Sequence, residues 1–247
     1  MDLDFSNAQL IAISLIFIWS GFVRAGLGFG GAALSLPLLF LVANEPLFFV
    51  PIIALHLLFF TSITSAHKLK SIHWPFIKSS LSWMIIPKLA GVIGLLSLPA
   101  QWMVFIIYGI TIFYAIQWIL QKTITSQSAW ADRVLLILGG YFSGVSLVGA
   151  PLIVAVAIRQ VPTHTYRDTL FVLWFILVII KLSAFVVVGV ELPWQAAALL
   201  LAPTAVGHYI GLRAHNYLIH RKPQQVQRVL GVGLLITAIL GMLQLLY

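Results

Sequence analysis

The sequence predicts an all-α integral membrane protein of about ten helical segments, arranged as two inverted-topology five-segment repeats with helix hairpins meeting near the bilayer midplane. Three observations predict it. Of 247 residues, 61% are hydrophobic and only 8% charged, with a mean hydropathy of +1.06, whereas soluble domains carry about a quarter charged residues. The apolar runs are continuous in Leu, Ile, Val and Phe, which suits helices and not the alternating strands of a spanning barrel. Finally, the runs form two sets whose matching loops carry opposite charge.

Breaking the chain at Gly, Pro and charged clusters gives segments near 8–23, 27–43, 46–66, 75–97, 100–121, 134–147, 149–158, 168–190, 194–214 and 225–246. A run such as 46–66 makes a helix of about 31 Å, enough to cross the hydrocarbon core. The sixth and seventh are too short for that. They are expected to form a hairpin whose glycine-rich tip stops inside the membrane, matched by a second tip at the glycines that follow the first segment. Pro87 and Pro203 sit inside helical runs, where each removes one hydrogen bond and kinks the helix.

An internal repeat, 1–122 and 123–247, appears when the halves are overlaid. Pro87-Lys88-Leu89-Ala90-Gly91 matches Pro203-Thr204-Ala205-Val206-Gly207, Gly30 falls on Gly149, and Arg24 falls on Ser143. Charge arbitrates. Asp2 and Asp4 correspond to Lys122 and Arg133; Glu45 to Arg159 and Arg167; Lys68, Lys70 and Lys78 to Glu191; and the uncharged link at Pro99 to Arg213, Arg221, Lys222 and Arg228. Every pair inverts, as oppositely inserted copies require under the positive-inside rule. The N-terminus is therefore expected outside and the basic loops in the cytoplasm, where they also meet anionic lipid.

That placement explains the net charge of +8 without nucleic acid. The absence of cysteine removes disulfides and thiolate metal sites together. Asp2 and Asp4 stand where a signal peptide needs basic residues, so no cleavable leader is expected.

The stretch from Gly21 to Pro37 holds five glycines and Arg24 between uncharged runs, with a fainter copy from Gly139 to Pro151. Glycine admits close backbone approach, and a helix break frees amide N–H groups that an anion accepts. Gly26-Leu27-Gly28-Phe29-Gly30-Gly31 followed by Pro37, the later Gly149-Ala150-Pro151 and the paired Pro-x-x-x-Gly resemble the TauE/SafE family of sulfite exporters, also called toluene-sulfonate uptake permeases. The resemblance runs over essentially the whole chain. It implies a bacterial inner-membrane transporter of small sulfur-containing anions such as sulfite, sulfonates or sulfoacetate. Gly149-Ala150-Pro151 departs from the richer glycine run expected at a second tip.

Several residues are candidates for substrate binding. Arg24 keeps its proton and forks onto two oxygens of a sulfur oxyanion; alternatively it marks the cytoplasmic interface. Gly28, Gly30, Gly31 and Gly149 would supply N–H donors and Ser143 and Ser146 hydroxyls, or the glycines serve close helix packing. Lys88 and Lys181 lie inside apolar runs and either offset substrate charge or snorkel toward water. His56 and His208 lie mid-segment in opposite halves and are either protonatable or hydrogen-bonded for structure.

All six carboxylates are expected outside the spans, which leaves no carboxylate relay and no carboxylate-held sodium site. No cofactor, metal site or catalytic residue is expected: Ser146 in Gly144-x-Ser146-x-x-Gly149 misses the nucleophile elbow, and there is no HExxH. The expected function is export by alternating access. An anion channel, and then an intramembrane hydrolase, are the alternatives, and the sequence leaves the oligomeric state open.

Overall fold

The computed structural model describes residues 5–27, 31–65, 72–122, 124–220 and 223–246. Gly28, Gly30, Asp2, Asp4, Lys68, Lys70, Arg221 and Lys222 lie outside the described residues. Within them the regular elements are ten helices: α1 (Asn7–Leu27), α2 (Gly31–Val42), α3 (Pro46–Ser65), α4 (Trp74–Leu96), α5 (Ala100–Ile119), α6 (Ala129–Ser146), α7 (Ala150–Gln160), α8 (Thr163–Val187), α9 (Trp194–His220) and α10 (Pro223–Leu246). All except α2, α6 and α7 contain stretches long and apolar enough to cross a membrane, seven in number. The 12 residues of α2 and 11 of α7 reach only about 18 and 16 Å against a core of about 30 Å. Large apolar side chains such as Ile86, Val187 and Leu199 stand exposed, as lipid-facing residues do. The protein is an all-helical integral membrane protein.

Two helix starts correct the sequence reading. α6 begins at Ala129, where Ser128 accepts a hydrogen bond from the Ala131 N–H, and α8 begins at Thr163 behind Pro162. Asp132 therefore lies within a helix and not in the linker, and Asp168 lies inside α8 and not at its first residue. Charge alone made the start of α6 look like linker, but a capping serine and an acid in the first turn are what a helix N-terminus favours; α8 opens behind Pro162 with no side-chain cap.

The described helices form two compact units, Met1–Ile52 with Pro99–Lys122 and Pro193–Tyr247, and Ile53–Leu98 with Thr123–Leu192. Each draws helices from both sequence halves. In the first unit α1 lies parallel to α9 through glycines. A Cβ on Gly21 would strike the Thr204 carbonyl oxygen, one on Gly207 the Ile18 carbonyl, and one on Gly211 the Phe22 carbonyl. Elsewhere in this unit α5 meets α10, where Gly231 faces the Ala115 carbonyl and Gly241 lies against the Tyr108 ring.

In the second unit α4 lies parallel to α6 in the same way. Gly144 sits on the Lys88 carbonyl and Gly91 on that of Tyr141. In both crossings one helix places a glycine on the carbonyl of the residue after a proline, Lys88 after Pro87 and Thr204 after Pro203. The glycine of Pro-x-x-x-Gly then rests on a carbonyl three residues before the first glycine. Proline cannot donate within its helix, and glycine lets two backbones approach, so the motif makes a close crossing.

α7 folds back antiparallel on α6. Gly149 abuts the Gly139 carbonyl at the tip, while Asp132 at the base pairs with Arg159 and accepts from Gln160 and Ser126. The acid stands in the first turn of α6 and the base in the last turn of α7, each at the helix end its charge stabilises. Ile153, Val156 and Ala157 of α7 bury against Phe76, Ile77 and Met84 of α4 and Leu173 and Leu177 of α8.

Candidate functional site

α6 stops at Ser146 because Leu147 turns left-handed, φ 61°, and the chain reverses through Gly149 into α7. A helix that ends here leaves its last carbonyl oxygens without partners from its own backbone, and they form the negative end of its dipole. Leu147 N–H returns to the Ser143 carbonyl at 3.2 Å. Two lysines supply the other donors.

Lys88 Nζ donates to Ser143 Oγ at 2.8 Å and to the Ser143 carbonyl at 3.3 Å. Lys181 Nζ donates to the Gly144 carbonyl at 2.6 Å and the Val145 carbonyl at 3.2 Å. Both lysines are fully buried, with 0% exposure. Lys181 also lies 5.4 Å from the centre of the Phe185 ring one turn on, a cation–π contact. Ser146 Oγ donates back to the Phe142 carbonyl at 3.1 Å.

These partners of the two lysines are neutral oxygens. Along α6, Asp132 is about 16 Å from Ser143, and along α8, Asp168 is about 20 Å from Lys181, at about 1.5 Å per residue. The helix terminus supplies the compensating negative potential. Beyond Lys88, which lies level with Gly144, α4 continues to Leu96, about 12 Å further. The hairpin tip thus stops well short of the end of α4.

The structure brings together Lys88, Lys181, Ser143 and Ser146 at this tip, with Gly149 closing the turn. It does not bring Arg24 into that unit. Arg24 stands in the last turn of α1, where Gly31, opening α2, would bring a Cβ within 3.0 Å of the Arg24 Cβ. His208 belongs to the same unit, packing its backbone on Gly21, and His215 Nδ1 lies 2.8 Å from the Gly26 carbonyl. His56 is buried in α3 in the second unit. Sequence reasoning missed the role of Gly144 and Val145, whose carbonyls hold Lys181. It also missed the Asp132 to Arg159 pair. Among the described residues no group of three His, Cys, Asp or Glu is placed to hold a metal ion.

A multi-pass helical chain with a broken hairpin and buried cations at the break has the build of a membrane transporter. The chain matches the family described as sulfite exporter TauE/SafE over residues 13–241, nearly its whole length, and it belongs to that family. No curated protein and no solved structure matches it.

Proposed function

We propose that the protein is a carrier that exports a small sulfur-containing anion, such as sulfite, a sulfonate or sulfoacetate, across a bacterial inner membrane by alternating access. The observation that carries this reading is the convergence of Lys88 and Lys181 on the buried end of α6 with neutral oxygens for partners. An ammonium so held keeps donors and charge for an arriving oxyanion. Ser143 Oγ accepts from Lys88, so its own proton is available to the same ligand. Arg24, in the first unit, is proposed as an anion-binding residue on its own chemistry, a permanent guanidinium that forks onto two oxygens.

The matched Pro-x-x-x-Gly crossings, each between parallel helices, support two oppositely inserted repeats, 1–122 and 123–247. With the N-terminus outside and the basic loops in the cytoplasm, an inside-negative potential favours anion exit by about 2.3 kcal/mol per charge per 100 mV. Export therefore runs without a carboxylate relay.

Counterflow in proteoliposomes tests the reading, with sulfite, thiosulfate, sulfoacetate, taurine and sulfate offered in turn. Saturable exchange of at least one sulfur anion, lost in Lys88→Met, is the expected result. Single-channel currents, or exchange indifferent to Lys88→Met, would overturn it.

A further inference from the structure

Transporters that couple to sodium hold the ion on carbonyl oxygens freed where a helix unwinds, at the negative end of a half-helix. The end of α6 presents such a set: the carbonyls of Gly144 and Val145, beside the Ser143 hydroxyl. In this protein the set is already occupied. Lys181 spans two consecutive carbonyls at 2.6 and 3.2 Å, with the Phe185 ring as a further face for the cation.

We propose that Lys181 is a tethered resident cation at the α6 terminus, standing where a coupling ion would otherwise bind, so that anion transport proceeds without sodium. The assignment falls on Lys181 and not Lys88 because the hydrogen bonds of Lys181 go to main-chain carbonyls alone. Lys88 divides its donors between a carbonyl and a hydroxyl that can turn toward substrate. A covalently held ammonium travels with its helix, needs no ion gradient, and costs no ordering of a free ion. Removing the side chain leaves carbonyls in a buried pocket without donors. A small monovalent cation entering that pocket would restore their partners.

The transport part of this inference rests on the carrier reading; the cation site does not, and the experiment separates them. Thermal midpoints of purified wild type, Lys181→Ala and Lys181→Met are compared in sodium, potassium, methylammonium and choline chloride at equal ionic strength. The wild type should melt alike in all four. Lys181→Ala should melt lower in choline and recover in methylammonium or sodium, by the linkage of ligand binding to folding. Lys181→Met, whose side chain fills the pocket, should show no such recovery. A folded Lys181→Ala with one midpoint in all four salts would overturn the site.

Flux supplies the second arm, and its wild-type half needs no variant to fold. Replacing sodium by choline should change wild-type sulfite exchange by less than about twofold, while Lys181→Ala should gain about tenfold from sodium or methylammonium. Wild-type exchange that collapses in choline would overturn the proposal. Absence of exchange for every anion would sink the carrier reading alone, with the melting comparison still deciding the cation site.

Discussion

Gly91 and Tyr141 meet backbone to backbone: a Cβ on Gly91 would stand 2.5 Å from the Tyr141 carbonyl oxygen and 3.2 Å from the Gly144 Cα. The same relation recurs between Gly207 and Ile18. No flexible side chain lies in the way to yield, so an added methyl must push two helices apart. That separation would also draw the Lys88 ammonium off Ser143, which ties helix packing to the site.

Gly91→Ala and Gly207→Ala should therefore each destabilise by about 1 to 3 kcal/mol, the range of overpacked cores. Gly94 and Gly233 provide the control, since a Cβ there meets nothing within 4 Å. Alanine at either should hold or raise the melting temperature, because glycine costs a helix about 1 kcal/mol relative to alanine. Thermal melts in detergent compare the two pairs, and equal losses would refute the crossing.

Much of this fold was legible because lipid enforces it. Ten helices match the ten apolar segments, since continuous runs such as 46–66 have no soluble alternative. The Pro-x-x-x-Gly repeat was visible as letters, but its meaning, a glycine seated on a carbonyl after proline, needed the partner helix. The start of α6 was misjudged because Asp132 and Arg133 read as linker while the Ser128 cap is a single-residue signal. For the site, Lys88 and Lys181 stood out as cations inside apolar runs. Their convergence on adjoining carbonyls of α6 did not, since nothing in the sequence links residues on α4 and α8.

The base of the α6–α7 hairpin makes an asymmetric prediction. The Asp132 side chain is 5% exposed and that of Arg159 40%. Arg159→Ala strands a buried carboxylate, whereas Asp132→Asn leaves a guanidinium able to reach water and an amide able to keep Ser126 and Gln160. The arginine variant should lose more stability than the asparagine variant, by about 1 to 3 kcal/mol, and the double variant less than the sum of the two. Melting of the three variants checks this, and strict additivity would count against the pairing.

Insertion direction is testable directly because the chain has no cysteine. Glu191 and Lys78 are exposed residues on opposite sides of the expected topology. An impermeant maleimide added to whole cells should label Glu191→Cys and spare Lys78→Cys until the membrane is opened. Labelling of both from outside would contradict the inverted arrangement.

Ser143 and Lys88 divide the proposed anion site in a way that kinetics can resolve. Ser143→Ala removes one hydroxyl yet leaves Lys88 its carbonyl partner at 3.3 Å. The ammonium stays in place, and the anion loses one hydrogen bond. A bond to a charged group contributes about 1.5 to 3 kcal/mol, so affinity for the transported anion should fall about 10- to 100-fold. Lys88→Met removes the charge as well as the donor, inside a region where water cannot substitute, and its loss should exceed that of Ser143→Ala. Ser143→Thr keeps a hydroxyl, so a milder loss than alanine isolates the hydrogen bond from the shape of the tip. Half-saturation in counterflow separates these cases. If Ser143→Ala and Lys88→Met weaken binding equally, the lysine holds the helix end in shape and the anion is recognised elsewhere.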